Sequence, residues 1–106
     1  MVYLIALMMF FAFAGAGGPV QAQDVGDRSN GAVIAQKICA ECHAVKGEQL
    51  RSPNPQAPTF ATIVATPGMT SIALTAVLRT PHRNMPNIIL ADQDLRDVVA
   101  YLLSMK

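Results

Sequence analysis

Cys39-Ala40-Glu41-Cys42-His43 is the stretch on which the reading of this chain turns. A C-x-x-C-H run reads as a covalent attachment site for haem c. Each residue type in it has a task. The two thiols are spaced to reach the two vinyl groups of one porphyrin and form thioether links near a helix end. His43, next along the chain, then falls beneath the macrocycle, where its imidazole binds iron as the proximal axial ligand. The chain holds 2 cysteines in all, so nothing competes for that use.

Three plainer readings of the same residues have less behind them. A disulfide between Cys39 and Cys42 would close a very short loop and remove little unfolded-chain entropy. A thioredoxin-like redox pair is expected beside a βαβ pattern, which this sequence lacks. A closed zinc site wants four ligands, and beyond two thiolates and His43 the chain offers only His82 as a further imidazole.

Working outward, 106 residues bound the chain at one domain. Met1–Ala16 is apolar apart from the Tyr3 hydroxyl and carries no charge; Gly17, Gly18 and Pro19 follow, then Val20-Gln21-Ala22. Small residues stand where a signal peptidase reads, so residues 1–22 are expected to be a secretory signal, cleaved before Gln23. No Lys or Arg precedes Arg28, which departs from the usual signal pattern and leaves an uncleaved N-terminal anchor as the rival reading. That apolar run is short for a bilayer span, which needs about 20 residues. Residues 23–106 form the expected domain and carry all 8 Lys/Arg and all 7 Asp/Glu, a formal net charge of +1. Such a balance leaves no nucleic-acid footprint and implies no strong electrostatic steering. Export agrees with the chemistry, because c-type attachment in bacteria takes place outside the cytoplasm; the expected location is the periplasm.

Periodicity along residues 23–106 is helical, with weak strand signals throughout. Asp27 and Ser29 are candidate N-caps of a first helix, with Ile34 and Ile38 on one face, ending near the pentapeptide. Residues 44–58 read as loop, broken by Gly47, Pro53, Pro55 and Pro58. A short helix is expected over 59–64, stopped by Thr66-Pro67-Gly68. A third, capped by Thr70 or Ser71, reaches about Arg79 with Leu74, Val77 and Leu78 as its stripe. Residues 80–90 hold Pro81 and Pro86 and read as loop. In the last helix Asp92 and Asp94 stand at the N-terminus, and Leu95, Val98, Val99 and Leu102 form one face. The fold class is all-α: three to five short helices wrapped around one covalently bound haem.

An electron-carrying haem iron usually takes a sixth ligand, and Met69, His82, Met85 and Met105 are available downstream. Met105, near the end of the last helix, should pack behind the haem. Met69 lies in a Pro-Gly-Met turn suited to filling a core gap. Met85, directly before Pro86 in a loop between two helices, can approach iron from the face opposite His43. His82 is its rival, and its plainer reading is a solvent-facing loop histidine.

These residues together resemble a small bacterial class I cytochrome c. The pentapeptide matches that family's haem motif, and Met85-Pro86 its distal ligand motif. Gly31, eight residues before Cys39, matches the small residue where first and last helices cross. Asp97-Val98-Val99-Ala100-Tyr101-Leu102 resembles the last-helix signature, whose aromatic packs on the first helix. Two departures stand out: position 35 is Ala where the family often pairs an aromatic with the one at 101, and no Trp is present to meet a propionate. Arg51 is the substitute expected from its place in the loop. The resemblance also implies that a loop Pro carbonyl, here Pro58, accepts the ring N–H of the proximal histidine.

The function implied is one-electron transfer between transient redox partners, donor and acceptor, with His43 and Met85 bound to iron in both oxidation states. Ile38, Phe60, Leu74, Leu78, Ile89 and Val98 are the expected haem neighbours, and Lys37, Lys46 and Arg83 the charges around its exposed edge. No catalytic acid, base or nucleophile is required. Two alternatives, a gas sensor and a peroxidase, each need an open distal position, against which Met85-Pro86 argues.

Overall fold

The computed structural model describes Gly17 and residues 26–82 and 84–106. The expected signal segment at 1–22, Gly17 aside, and Arg83 lie outside the described residues. Among these residues there are four helices and no strand.

Helix α1, Arg28–Ile34, begins at Asp27, whose carboxylate accepts from the N–H groups of Ser29 and Asn30 at 2.8 and 3.3 Å. That satisfies donors the first turn leaves free. The chain then widens into a π-helical turn, Ala35–Cys39, with the Ala40 N–H donating to the Ala35 carbonyl at 2.9 Å. One extra residue in the turn breaks the i, i+4 register of an ordinary helix. Ile34 packs on the core, whereas Ile38, expected on the same face, is 39% exposed and lines a cavity instead.

Threonines start the next two helices. The Thr59 hydroxyl oxygen accepts from the Thr62 N–H at 3.1 Å to cap α2, Phe60–Ala65. The Thr70 hydroxyl oxygen does the same for the Ala73 N–H at 3.2 Å, capping α3, Ser71–Arg79. Between them Gly68 adopts φ +80°, which a residue without Cβ enters freely. Helix α4, Asp92–Leu103, has no side-chain cap, but Asp92 and Asp94 stand in its first turn, where the helix dipole favours negative charge.

α4 is the centre of the fold: α1, α2 and α3 all pack on it, α1 most extensively. Its buried face, Leu95, Val98, Val99 and Leu102, joins Ala35, Val45, Phe60, Val64 and Leu74 in one core. The α1–α4 crossing is close because Gly31 has no side chain. A Cβ there would collide with the Asp97 carbonyl and lie 2.9 Å from the Tyr101 Cβ.

Tyr101 does not find its ring partner at position 35, which is a fully buried Ala at the start of the π-helical turn. It meets Phe60 of α2 instead, with ring centroids 6.4 Å apart, and its hydroxyl donates to the Val45 carbonyl at 2.6 Å. The aromatic pairing absent at position 35 is thereby supplied by α2. Burial, and secondarily the charge of Glu48, raises the Tyr101 hydroxyl above its ordinary pKa.

Candidate functional site

One cavity of about 590 Å³ opens beside this core, a size that suits a cofactor. Cys39, at the end of the π-helical turn, lines it together with Cys42, His43 and Pro58 from the following loop. Hydrogen bonds from the Cys42 and His43 N–H groups to the Cys39 carbonyl, at 3.1 and 2.8 Å, wind the pentapeptide into a tight turn. Phe60, Leu74, Leu78 and Leu102 add apolar walls, and Met85 reaches the cavity from the loop between α3 and α4. Of the residues expected about a haem, Cys39, Cys42, His43, Pro58, Phe60, Leu74, Leu78 and Met85 thus line one cavity, as does Ile38.

His43 is held on two sides. Its Nδ1 lies 2.6 Å from the Pro58 carbonyl oxygen, and its ring sits 5.6 Å from that of Phe60, tilted by 53°. A carbonyl only accepts, so Nδ1 carries the proton and the lone pair lies on Nε2, the atom a metal would take. Met85 sits in a turn whose preceding residue, Asn84, has φ +61°. Its N–H donates to the His82 carbonyl at 3.2 Å. Asn84 also ties this loop to the one before α2, its side-chain N–H donating to the Gln56 side-chain Oε1 at 3.4 Å.

Several expectations about the surroundings need correction. Val98 is fully buried and does not line the cavity, because its side chain is taken up in the core cluster instead. Ile89 is 89% exposed and takes no part; its neighbour Ile88 lines the wall instead. Arg51 is exposed and lies outside the lining, as does Lys46, whereas Lys37 belongs to it. The cavity also carries the amide side chains of Asn54, Gln56 and Asn84, polar lining that sequence reasoning missed. Met69 is more than filler: it lines the cavity, and the Lys106 ammonium donates to its carbonyl at 2.7 Å.

The chemistry of the donors separates the readings. Cys39 and Cys42 are both free thiols. Burial pushes the Cys39 thiol above its ordinary pKa, the opposite of the lowered value that a reactive redox thiolate needs. Among the described residues no cluster of three His, Cys, Asp or Glu is arranged to hold a metal ion, so a closed zinc site is not formed. What the cavity offers is a large apolar volume, two thiols, one oriented imidazole and one thioether. Those donors fit a haem joined through two sulfurs.

Residues 29–106 match the family model for cytochrome c. The chain belongs to the cytochrome c family. Membership carries with it covalently bound haem c and the role of an electron carrier. The chain is also 30% identical, over 104 residues, to a protein named cytochrome c-552 from Bradyrhizobium diazoefficiens, covering 98% of this chain and 96% of that one. No solved structure gives a significant match. The all-α architecture is that of the family, with the matched region spanning α1 through α4.

Proposed function

We propose that this cytochrome is a one-electron carrier of the bacterial periplasm, with residues 1–22 as its export signal and one haem held in the domain of residues 23–106. Cys39 and Cys42 would hold the haem through two thioethers, and His43 and Met85 would bind its iron. Bound there, the haem supplies an iron centre that cycles between Fe(III) and Fe(II). The observation that carries the reading is one apolar cavity lined by both thiols, by His43 with its Nδ1 proton on the Pro58 carbonyl, and by Met85.

The residues' tasks follow from their chemistry. The Pro58 carbonyl orients His43 and raises its basicity as a ligand. Met85, a soft thioether, favours the reduced metal and so raises the potential, as does an apolar wall of Phe60, Leu74, Leu78 and Leu102. A core shared with α4 keeps those walls in nearly one geometry in both oxidation states. Partners, a redox protein on each side, would meet a small surface transiently. Sensor and peroxidase readings require Met85 to be absent from iron at rest.

Two measurements test this. Mass analysis of the exported product should exceed the mass of residues 23–106 by one haem. The oxidised protein should show the weak far-red charge-transfer band of a sulfur–iron bond. A colourless product with the mass of its amino acids alone would end the carrier reading. Absence of the far-red band, with ready carbon monoxide binding by the reduced protein, would favour the sensor.

A further inference from the structure

His82 shares the cavity with Met85 although its side chain is otherwise exposed. Its Nδ1 lies 2.9 Å from the Thr80 carbonyl oxygen. That oxygen can only accept, so the proton is on Nδ1 and the lone pair of the neutral ring is on Nε2. His43 is prepared in the same way by the Pro58 carbonyl at 2.6 Å. Both histidines of the chain therefore line one cavity, each held by a backbone carbonyl in the tautomer whose Nε2 is a ligand atom. A histidine that merely faces solvent has no need of either feature.

Chain geometry joins His82 to Met85. The Met85 N–H donates to the His82 carbonyl at 3.2 Å, closing one turn that contains Asn84 at φ +61°. Pro81 and Pro86 flank that turn, and no helix includes it. His82 and Met85, joined by that hydrogen bond, thus present an imidazole and a thioether to the same space, and both lie outside α3 and α4.

Resting on the reading of Met85 as resident sixth ligand, we infer that His82 is an alternate ligand of the same iron, binding through Nε2 when the Met85 thioether leaves. One iron–sulfur coordinate bond breaks and one iron–nitrogen bond forms. No electron is transferred, and the proton stays on Nδ1, still donated to the Thr80 carbonyl oxygen. Imidazole is the harder donor and thioether the softer, so the exchange belongs to the oxidised state and is reversed on reduction. Because thioether ligation is what raises the potential, His82 ligation lowers it and takes the oxidised protein out of service as an electron acceptor.

Oxidised holoprotein carrying Met85→Ala should be low-spin with the signature of two imidazoles and no far-red band. The double variant Met85→Ala, His82→Ala should be high-spin. Exogenous imidazole should bind the single variant roughly tenfold more weakly than the double, because His82 has to be displaced first. Should Met85→Ala fail to fold, the unmodified chain serves: warmed until its far-red band fades, it should stay low-spin, whereas His82→Ala treated alike should turn high-spin. A Met85→Ala protein that is high-spin, or a double variant that remains low-spin, overturns the inference and leaves the Met85 reading intact. A parent protein without the far-red band, turned high-spin by His82→Ala alone, overturns the Met85 reading instead.

Discussion

Asp97 shows how much a single side chain can hold in this fold. It is buried on α4, yet its carboxylate accepts from the Asp27 N–H at 2.7 Å, the Asn30 amide at 2.7 Å and the Gln93 amide at 2.8 Å. Asp27 and Asn30 frame the start of α1, so this carboxylate fastens the beginning of the first helix to the last. Hydrogen bonding by Asn30, then by Asp27 and Gln93, outweighs burial and holds its pKa below the ordinary carboxylate value. A group whose folded pKa is depressed contributes stability in full above its unfolded value, about 3.9, and loses it as pH falls through the folded value. Asp97→Asn should lower the melting temperature by a constant amount between pH 7 and 5. The gap from the parent should then narrow below about pH 4, where the parent's own carboxylate becomes protonated. Melting curves across that range decide it: a gap that stays the same down to pH 3 would show that the charge does not matter. From the sequence alone, Asp97 was legible only as part of a last-helix signature, because its two partners at the start of α1 lie 67 and 70 residues away and no local pattern announces them.

At the scale of elements, all four helices were readable, and the reason is local. Threonine and aspartate caps, acids in the first turn of α4 and prolines between segments each act within a few residues of where they stand. The π-helical turn was not readable, since Ala35-Gln36-Lys37-Ile38-Cys39 has ordinary helical composition and only packing selects the wider turn. Helix crossing is a mixed case: Gly31 marks the place, but only the structure identifies what it makes room for. Gly31→Ala replaces a poor helix former by the best, a gain of up to about 1 kcal/mol on propensity alone. Against that, its Cβ would strike the Asp97 carbonyl, and overpacking of this kind costs about 1–3 kcal/mol. The net expectation is a lower melting temperature. Gly47→Ala, where an added Cβ meets nothing within 4 Å, is the control and should leave it nearly unchanged. Denaturant titrations of both variants test the pair, and equal midpoints would refute close crossing at Gly31. Tyr101→Phe keeps the ring against Phe60 but loses the bond to Val45, and should cost about 1 kcal/mol.

Across the whole molecule, the site and the core are the same object. Phe60, Leu74 and Leu102 belong to the buried cluster and also line the cavity, so the helices close only partly on one another. That Cys39, Cys42 and His43 share one site was legible in the sequence because they stand within five residues of one another. Val98 could not be placed correctly because which apolar side chains face the cavity depends on how α4 is rotated, and Ile89 could not because only the course of the loop before α4 decides that Ile88 lines the wall in its stead. A wall shared in this way leads to the expectation that folding depends on the haem. Without the haem, the apolar walls of a cavity of about 590 Å³ would be left facing water, and the hydrophobic burial they would otherwise gain would be lost. The chain should avoid that by collapsing rather than keeping the cavity open. Cys39→Ser, Cys42→Ser protein produced without haem should therefore lose its cooperative thermal transition and bind an apolar dye, while retaining part of its helical signal. The holoprotein should melt in one sharp step. A haem-free variant that melts as cooperatively as the holoprotein would mean that α1 to α4 pack unaided, and that the cavity wall is not the part of the core which the haem completes.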